Sequence, residues 1–185
     1  MKVYHTSSLI ITHPDLTHGR KNADFGQGFY MSLEYEFASR WARKNKDILP
    51  VINVYELNLE DLNIHTFERN EEWYQYLYEN RSNQPDSKKE IDVIIGPIAN
   101  DTIYDTFGIA TSGLLTKEDS LKLLDIGPIY QQVVLKTEKA FNHLHWKESE
   151  EIREEDLLHF QEVVKEEEKN FQEKFVEAFK QLSTD

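Results

Sequence analysis

The chain contains no cysteine, and its 185 residues include only two methionines, five prolines and seven glycines. The absence of cysteine excludes disulfide bonds, thiolate zinc sites and a cysteine nucleophile. No segment approaches the ~18 consecutive apolar residues of a membrane-spanning helix, and residues 1–5 lack the apolar core of a secretory signal. These absences predict a soluble, cytoplasmic protein that does not interact with membranes.

Negative charge is what the chain has in excess. Thirty-four acidic residues against 21 basic residues give a formal net charge of −13. This charge disfavours long-range attraction to nucleic acid, although a local basic patch is compatible with it. The length, with 39% hydrophobic residues, suits one domain that buries a core rather than two equal domains.

Strand and helix patterns alternate along the first 147 residues. Apolar alternation predicts strands at residues 3–7, 51–57, 91–95 and 129–137. Helical spacing predicts helices at residues 33–46, 70–78, about 100–106, and 116–124, the last of which begins with a Thr-x-x-Asp capping box. This order lacks the regular rhythm of a doubly wound sheet and the unbroken strands of a sandwich. We therefore predict an α+β fold.

The composition changes at residue 148, so we divide the chain into a domain at 1–147 and an acidic amphipathic helical extension at 148–185. The extension contains no glycine or proline. Its apolar stripe consists of Leu157, Phe160, Val164, Phe171, Phe175, Phe179 and Leu182. A helix of this kind, ~30 residues long, must bury its stripe. It can pack on the domain, self-associate or dock a partner.

Residues 24–32, Asp-Phe-Gly-Gln-Gly-Phe-Tyr-Met-Ser, form the most distinctive stretch. Their two glycines permit a turn with positive φ or a close backbone approach, and Phe29 and Tyr30 then begin a strand. Such a turn can present an aromatic ring on which a flat ligand stacks, while backbone amides bind the edge of that ligand. The alternative is an ordinary glycine-containing hairpin in which Tyr30 fills core.

Three residues on predicted strands are candidates for one functional site, although each is a weak candidate alone: His5, Tyr30 and Gln132. A lone strand histidine is more often a structural hydrogen-bonding residue than a ligand. Strand alternation places Gln131 on the packed face and Gln132 on the opposite face. The sequence therefore predicts that Gln132 lies in a cleft and that Gln131 is structural.

Two histidine groups are weaker candidates. His13, Asp15 and His18 lie close in sequence, but their loop context offers no supporting shell, so we predict no metal site. His143 and His145 are expected to form a solvated surface pair.

The order of the motifs resembles a bacterial family of ADP-ribosyltransferase-like proteins filed as a domain of unknown function. The shared motifs are Tyr-His-x-Ser at residues 4–7, Gly-Arg at 19–20, Asp-Phe-Gly-x-Gly-Phe-Tyr at 24–30, the segment 92–101 and the strand 132–137. The resemblance runs from about residue 2 to 144. It implies a split, mostly antiparallel two-sheet core with helices around an NAD cleft.

The resemblance also implies a catalytic set of His5, Tyr30 and Gln132. His5 would hydrogen-bond ribose hydroxyls, Tyr30 would stack on the nicotinamide ring, and Gln132 would replace the glutamate that contacts the nicotinamide-ribose 2′-hydroxyl in many relatives. The other implied cofactor-binding residues are Thr6, Arg20, Gly28 and Phe29, with Arg20 as a clamp for the pyrophosphate. Asp24 and Asp101 match the family pattern without an assigned role.

The implied activity is transfer of ADP-ribose from NAD, a co-substrate used without a metal, to a protein or nucleic-acid acceptor. Cleavage of the nicotinamide glycosidic bond develops oxocarbenium character, which needs orientation and charge stabilisation. Glutamine cannot deprotonate an acceptor, so Gln132 favours mono-ADP-ribosyltransfer over chain elongation. The resemblance further implies a bacterial toxin or effector whose C-terminal helix docks an antitoxin or self-associates. The alternative is a catalytically inactive NAD or ADP-ribose binding module, or a protein-interaction module.

Overall fold

The computed structural model describes residues 1–19, 23–42, 48–99 and 115–182. Its strands are β1 (Lys2–Ser7), β2 (Phe29–Ser32), β3 (Val51–Leu57), β4 (Ile64–Thr66), β5 (Val93–Pro97), β6 (Gln131–Leu135) and β7 (Leu144–Glu151). Its helices are α1 (Tyr35–Arg40), α2 (Glu71–Arg81), α3 (Lys117–Leu124), α4 (Glu138–Asn142) and α5 (Glu154–Leu182), with a 3₁₀ turn at Leu16–His18. The α+β class is confirmed, and the helix predicted at 100–106 lies outside the described residues.

The strands form one mixed sheet of seven strands in the order β4-β5-β6-β2-β1-β3-β7. Only the β4–β5 pair is parallel within this sheet. The described strands are therefore joined in a single sheet, not in the two separate sheets that the resemblance implies. The join between β1 and β2 is narrow, because Tyr4 opposite Ser32 is the one registered pair between them. The registered pairing of β1 with β2 does not extend beyond this pair, so the two strands separate there.

Opposite faces of the sheet carry different cores, because residues paired across strands point to the same face. One face holds a cluster that includes Val3, Phe29 and Val133 and is covered by Ala140 of α4. The other face holds two clusters. The first lies under α2 around Trp73 and includes the buried strand residues Ile94 and Val134. The second lies under α1 and α5 and includes Ile52 and Val54. These two clusters flank the narrow β1–β2 join.

Side-chain caps begin two of the helices, and the sequence predicted one of these caps. Thr116 accepts a hydrogen bond from the Asp119 amide at the start of α3, as the capping box predicts. Asn70 caps α2 in the same way, and its bond from the Trp73 amide measures 3.1 Å. Helix α1 begins later and ends earlier than the predicted helix 33–46, because it ends at Arg40 and the described residues Trp41 and Ala42 are not helical. Residues 43–47 lie outside the described part of the chain.

Strand β7 lies across the boundary that we drew between residues 147 and 148. It pairs with β3 from Leu144 opposite Leu57 to Glu151 opposite Val51. Helix α5 then begins at Glu154, so the residues just after 148 are strand rather than helix. The strand is polar in sequence and takes its conformation from its pairing with β3.

The apolar stripe of α5 packs on the domain. Leu157 and Phe160 contact the cluster around Ile52. Phe171 and Phe175 pack on Leu123 of α3, and the side chain of Glu167 forms an ion pair with Arg40 of α1. The structure therefore shows the first of the three alternatives for this stripe. Among the described helices, none combines the length and the apolar composition that crossing a bilayer requires.

Acid is expected to destabilise the fold partly through Asp92, a buried carboxylate after which β5 begins. Burial alone raises its pKa, but hydrogen bonds from the Thr137 hydroxyl and the Asn63 amide outweigh it and lower the pKa below the ordinary value. Because the folded-state pKa is the lower one, the stabilisation is present above about pH 4 and is lost as the pH falls further. In denaturant titrations at neutral and acid pH, the free energy of unfolding should decrease less on acidification in Asp92→Asn than in the wild type.

Glu90 provides the control for this measurement, because its side chain is 87% exposed. Glu90→Gln should leave the acid loss of unfolding free energy unchanged. An Asp92→Asn protein that loses as much stability in acid as the wild type would contradict the prediction.

Candidate functional site

A cleft of about 460 Å³ opens on the sheet beside the narrow join of β1 and β2. Its lining includes Tyr4, His5, Thr6, Asp24, Tyr30, Ser32, Ala38, Trp41, Arg81 and Gln132. Tyr4 also packs against the cluster under α1 and α5, whereas Tyr30 packs against the cluster under α2. The cleft thus occupies the gap between the two cores, and its volume lies in the range of small-molecule sites.

His5 bridges the two strands where they separate. Its Nδ1 lies 2.8 Å from the backbone oxygen of Tyr30. Because a carbonyl oxygen only accepts, Nδ1 carries the proton in this bond, and Nε2 of the neutral ring is then an acceptor. The ring also packs on Phe29, with 4.3 Å between the centroids. These contacts fix both the tautomer and the orientation of the imidazole. Alternation along β1 puts His5 on the same face of the sheet as Val3 and Phe29, opposite Tyr30 and Gln132, and His5 nevertheless lines the cleft.

Tyr30 contributes its ring to the cleft while its hydroxyl turns back to the preceding turn. The hydroxyl donates to the Gly26 carbonyl at 2.7 Å and accepts from the Phe25 amide at 3.0 Å. Gly26 has a φ of +74°, which favours glycine at this position of the turn. The hydroxyl is thereby used to hold the turn, and the aromatic face is the part of Tyr30 that suits a flat ligand.

Gln132 lies opposite Ser32 of β2 and lines the cleft, as strand alternation predicts, whereas Gln131 is absent from its lining. Gln132 is 6% exposed, and its Nε2 has no hydrogen-bond partner among the described residues. A buried donor left unpaired costs about 1–3 kcal/mol. A ligand that places an acceptor oxygen against this amide would remove that cost.

Arg81 is a cleft residue that the sequence does not reveal. Its Nε and Nη2 donate to Oδ1 of Asp24 at 3.0 and 2.8 Å, and the two side chains are only 6% and 8% exposed. The side-chain amide of Asn80 also donates to the backbone carbonyl of Asp24 at 3.3 Å. Asp24, which had no assigned role, thus ties the glycine-containing turn to the end of α2. In sequence, Arg81 is indistinguishable from a solvated residue at a helix end.

The 3₁₀ turn forms one lip of the cleft, because His18 and Gly19 line it. Asp15 caps this turn by accepting hydrogen bonds from the amides of Thr17 and His18. The Thr17 hydroxyl, followed by the His18 side chain, lowers the pKa of Asp15 to about 2. Within the described residues, no group of three acidic, histidine or cysteine side chains is arranged to hold a metal.

The remaining predicted residues divide into three groups. Thr6 lines the cleft, and its hydroxyl donates to the Ala38 carbonyl of α1. Gly28 and Phe29 are not part of the lining: Phe29 is fully buried on the opposite face, and a side chain at Gly28 would meet Val134. Arg20 and Asp101 lie outside the described residues.

Residues 1–146 match the family described as "Protein of unknown function (DUF3990)", and the chain belongs to that family. The matched region contains His5, Tyr30 and Gln132 and ends before α5 begins. Comparisons with curated proteins and with solved structures gave no match.

Proposed function

We propose that this protein is a mono-ADP-ribosyltransferase that transfers ADP-ribose from NAD to a protein or nucleic-acid acceptor. One observation carries the proposal. His5, Tyr30 and Gln132, which lie on β1, β2 and β6, line one cleft at the point where the sheet separates. The motif resemblance assigns these same three residues to NAD.

Each residue supplies an interaction that the reaction needs. His5 hydrogen-bonds ribose hydroxyls of NAD, which is the role that the motif resemblance implies for it. The face of Tyr30 stacks on the nicotinamide ring, and the amide of Gln132 donates to the 2′-hydroxyl of the attached ribose. The glycosidic bond between C1′ and the nicotinamide nitrogen then breaks, and its electron pair leaves with neutral nicotinamide. An acceptor nucleophile bonds to C1′ and releases its proton to solvent. The role of the cleft is therefore to orient NAD and stabilise developing charge.

The second candidate is a binding module that holds NAD or ADP-ribose without turning it over. Gln132 favours this alternative, because its neutral amide cannot act as a base towards an acceptor. Calorimetric titration with NAD distinguishes the candidates: heat of binding without release of nicotinamide indicates the module, whereas release indicates the enzyme.

The proposal includes a role as a toxin or effector, in which an antitoxin would be the partner of the protein. The packing of α5 bears on how an antitoxin would bind. Because Phe171 and Phe175 are buried against α3, the apolar stripe is covered by the domain itself. An antitoxin, or a second copy of the chain, would contact another surface of α5 or displace the helix.

The direct test follows nicotinamide release and label transfer when the pure protein is incubated with labelled NAD and a cell lysate. The wild type should label a lysate component. His5→Ala should react about 100-fold more slowly, since loss of one positioned polar group in a catalytic site has effects of that size. Tyr30→Ala should lose activity similarly.

His145 provides the matched control for His5, because it is an exposed strand histidine that is absent from the cleft lining. His145→Ala should keep wild-type activity. Absence of nicotinamide release by the wild type, or full activity in both His5→Ala and Tyr30→Ala, would contradict the proposed enzyme.

A further inference from the structure

A buried lysine contacts the glycine-containing turn and is not part of the cleft lining. Lys136 directly follows β6, and its side chain is 2% exposed. Its Nζ donates to the Phe25 carbonyl and to the Tyr76 hydroxyl, each at 2.7 Å, and to the carboxylate of Asp86. An ammonium group has three protons, so these three acceptors satisfy it completely.

The same turn is held from the cleft side by Tyr30. The Phe25 carbonyl accepts from Lys136, while the Phe25 amide donates to the Tyr30 hydroxyl. The next carbonyl, that of Gly26, accepts from the same hydroxyl. The backbone at residues 25–26 is therefore the physical link between the buried ammonium and the aromatic wall of the cleft.

We propose that Lys136, with its counter-ion Asp86, is a positioning residue that fixes the orientation of Tyr30 through the backbone at residues 25–26. Lys136 is absent from the cleft lining and acts through Phe25 rather than on the ligand. The ligand-dependent part of this inference rests on the proposed function, in which Tyr30 stacks on nicotinamide.

The choice of residue types supports a positioning role. Apolar side chains of similar volume can replace a buried ion pair at little or no cost in stability. Stability alone therefore does not explain why Lys136 and Asp86 are charged. A methionine would leave the Phe25 carbonyl without its ammonium donor. The surroundings also favour an ionised Asp86: burial alone raises its pKa, but the hydrogen bonds from Lys136 and Tyr76 lower it below the ordinary value.

A double-mutant cycle on NAD affinity tests the link. Lys136→Met and Tyr30→Phe each remove one end of this link, and each should weaken NAD binding by about tenfold. Because coupled sites are non-additive, the double variant should also bind NAD only about tenfold more weakly than the wild type. Two independent tenfold effects that multiply in the double variant would overturn the proposal. Asp86→Asn is a milder second variant, and it should weaken binding in the same direction.

Amide hydrogen exchange at Phe25 tests the same link without any ligand. Exchange at this amide should become faster in Lys136→Met, in Asp86→Asn and in Tyr30→Phe. Lys122→Met is the matched control, because Lys122 is 54% exposed on α3 and should leave Phe25 unchanged. Unaltered protection of Phe25 in both Lys136→Met and Asp86→Asn would overturn the inference. If the wild type fails to bind NAD, the proposed function fails, and this exchange measurement still decides the role of Lys136.

Discussion

Replacing Arg81 by methionine is expected to lower the free energy of unfolding by about 3–5 kcal/mol, because breaking one side of a buried ion pair has costs of this size. The guanidinium reaches Oδ1 of Asp24 through two nitrogens, and both side chains are almost fully buried. The variant keeps most of the volume of the side chain but removes its charge and its donors. The loss is measured by urea unfolding at neutral pH.

Two controls make the Arg81 measurement specific. Arg81→Met combined with Asp24→Asn removes both charges, so it should recover part of the lost stability. Arg153→Met removes an arginine that is 70% exposed, and such surface changes stay within about 0.5 kcal/mol. A single Arg81→Met variant as stable as Arg153→Met would show that the Asp24 pair does not support the fold.

The elements that sequence predicts well carry their signal locally. Strands β1 and β3 were expected from alternation, helix α2 from helical spacing and helix α3 from its capping box, and the structure confirms them. Strand β4 has only three residues, Ile64–Thr66, and exists through its parallel pairing with β5. Strand β7 is likewise defined by its ladder with β3. Partner strands distant in sequence decide such elements, so a local pattern does not reveal them.

Some features of the candidate site can likewise be predicted from local sequence, whereas others depend on the tertiary structure. Alternation along β6 distinguishes Gln132 from Gln131 without any knowledge of the fold, because the period of a strand is two residues. The meeting of His5 with Tyr30 depends on β1 lying beside β2, which is a property of the sheet order. Arg81 and Lys136 resemble surface charges in the sequence. Only the tertiary structure places Arg81 beside Asp24 and Lys136 beside Asp86.

The unpaired amide of Gln132 leads to a prediction in which stability and affinity change in opposite directions. Gln132→Met keeps the approximate volume of the side chain and removes a buried donor that has no partner among the described residues. The free energy of unfolding should therefore rise by about 1 kcal/mol. Under the proposed function, NAD affinity should fall roughly five- to 150-fold, because the proposed hydrogen bond to the ribose hydroxyl, worth about 1–3 kcal/mol, would be lost.

Gln131 provides the matched control on the neighbouring position of β6. Its Oε1 is also buried without a partner among the described residues, but the side chain is absent from the cleft lining. Gln131→Met should therefore raise stability by a similar amount and leave NAD affinity unchanged, as measured by thermal unfolding and calorimetric titration. Equal loss of affinity in both variants would contradict the placement of the ribose against Gln132, because only one of the two amides faces the cleft.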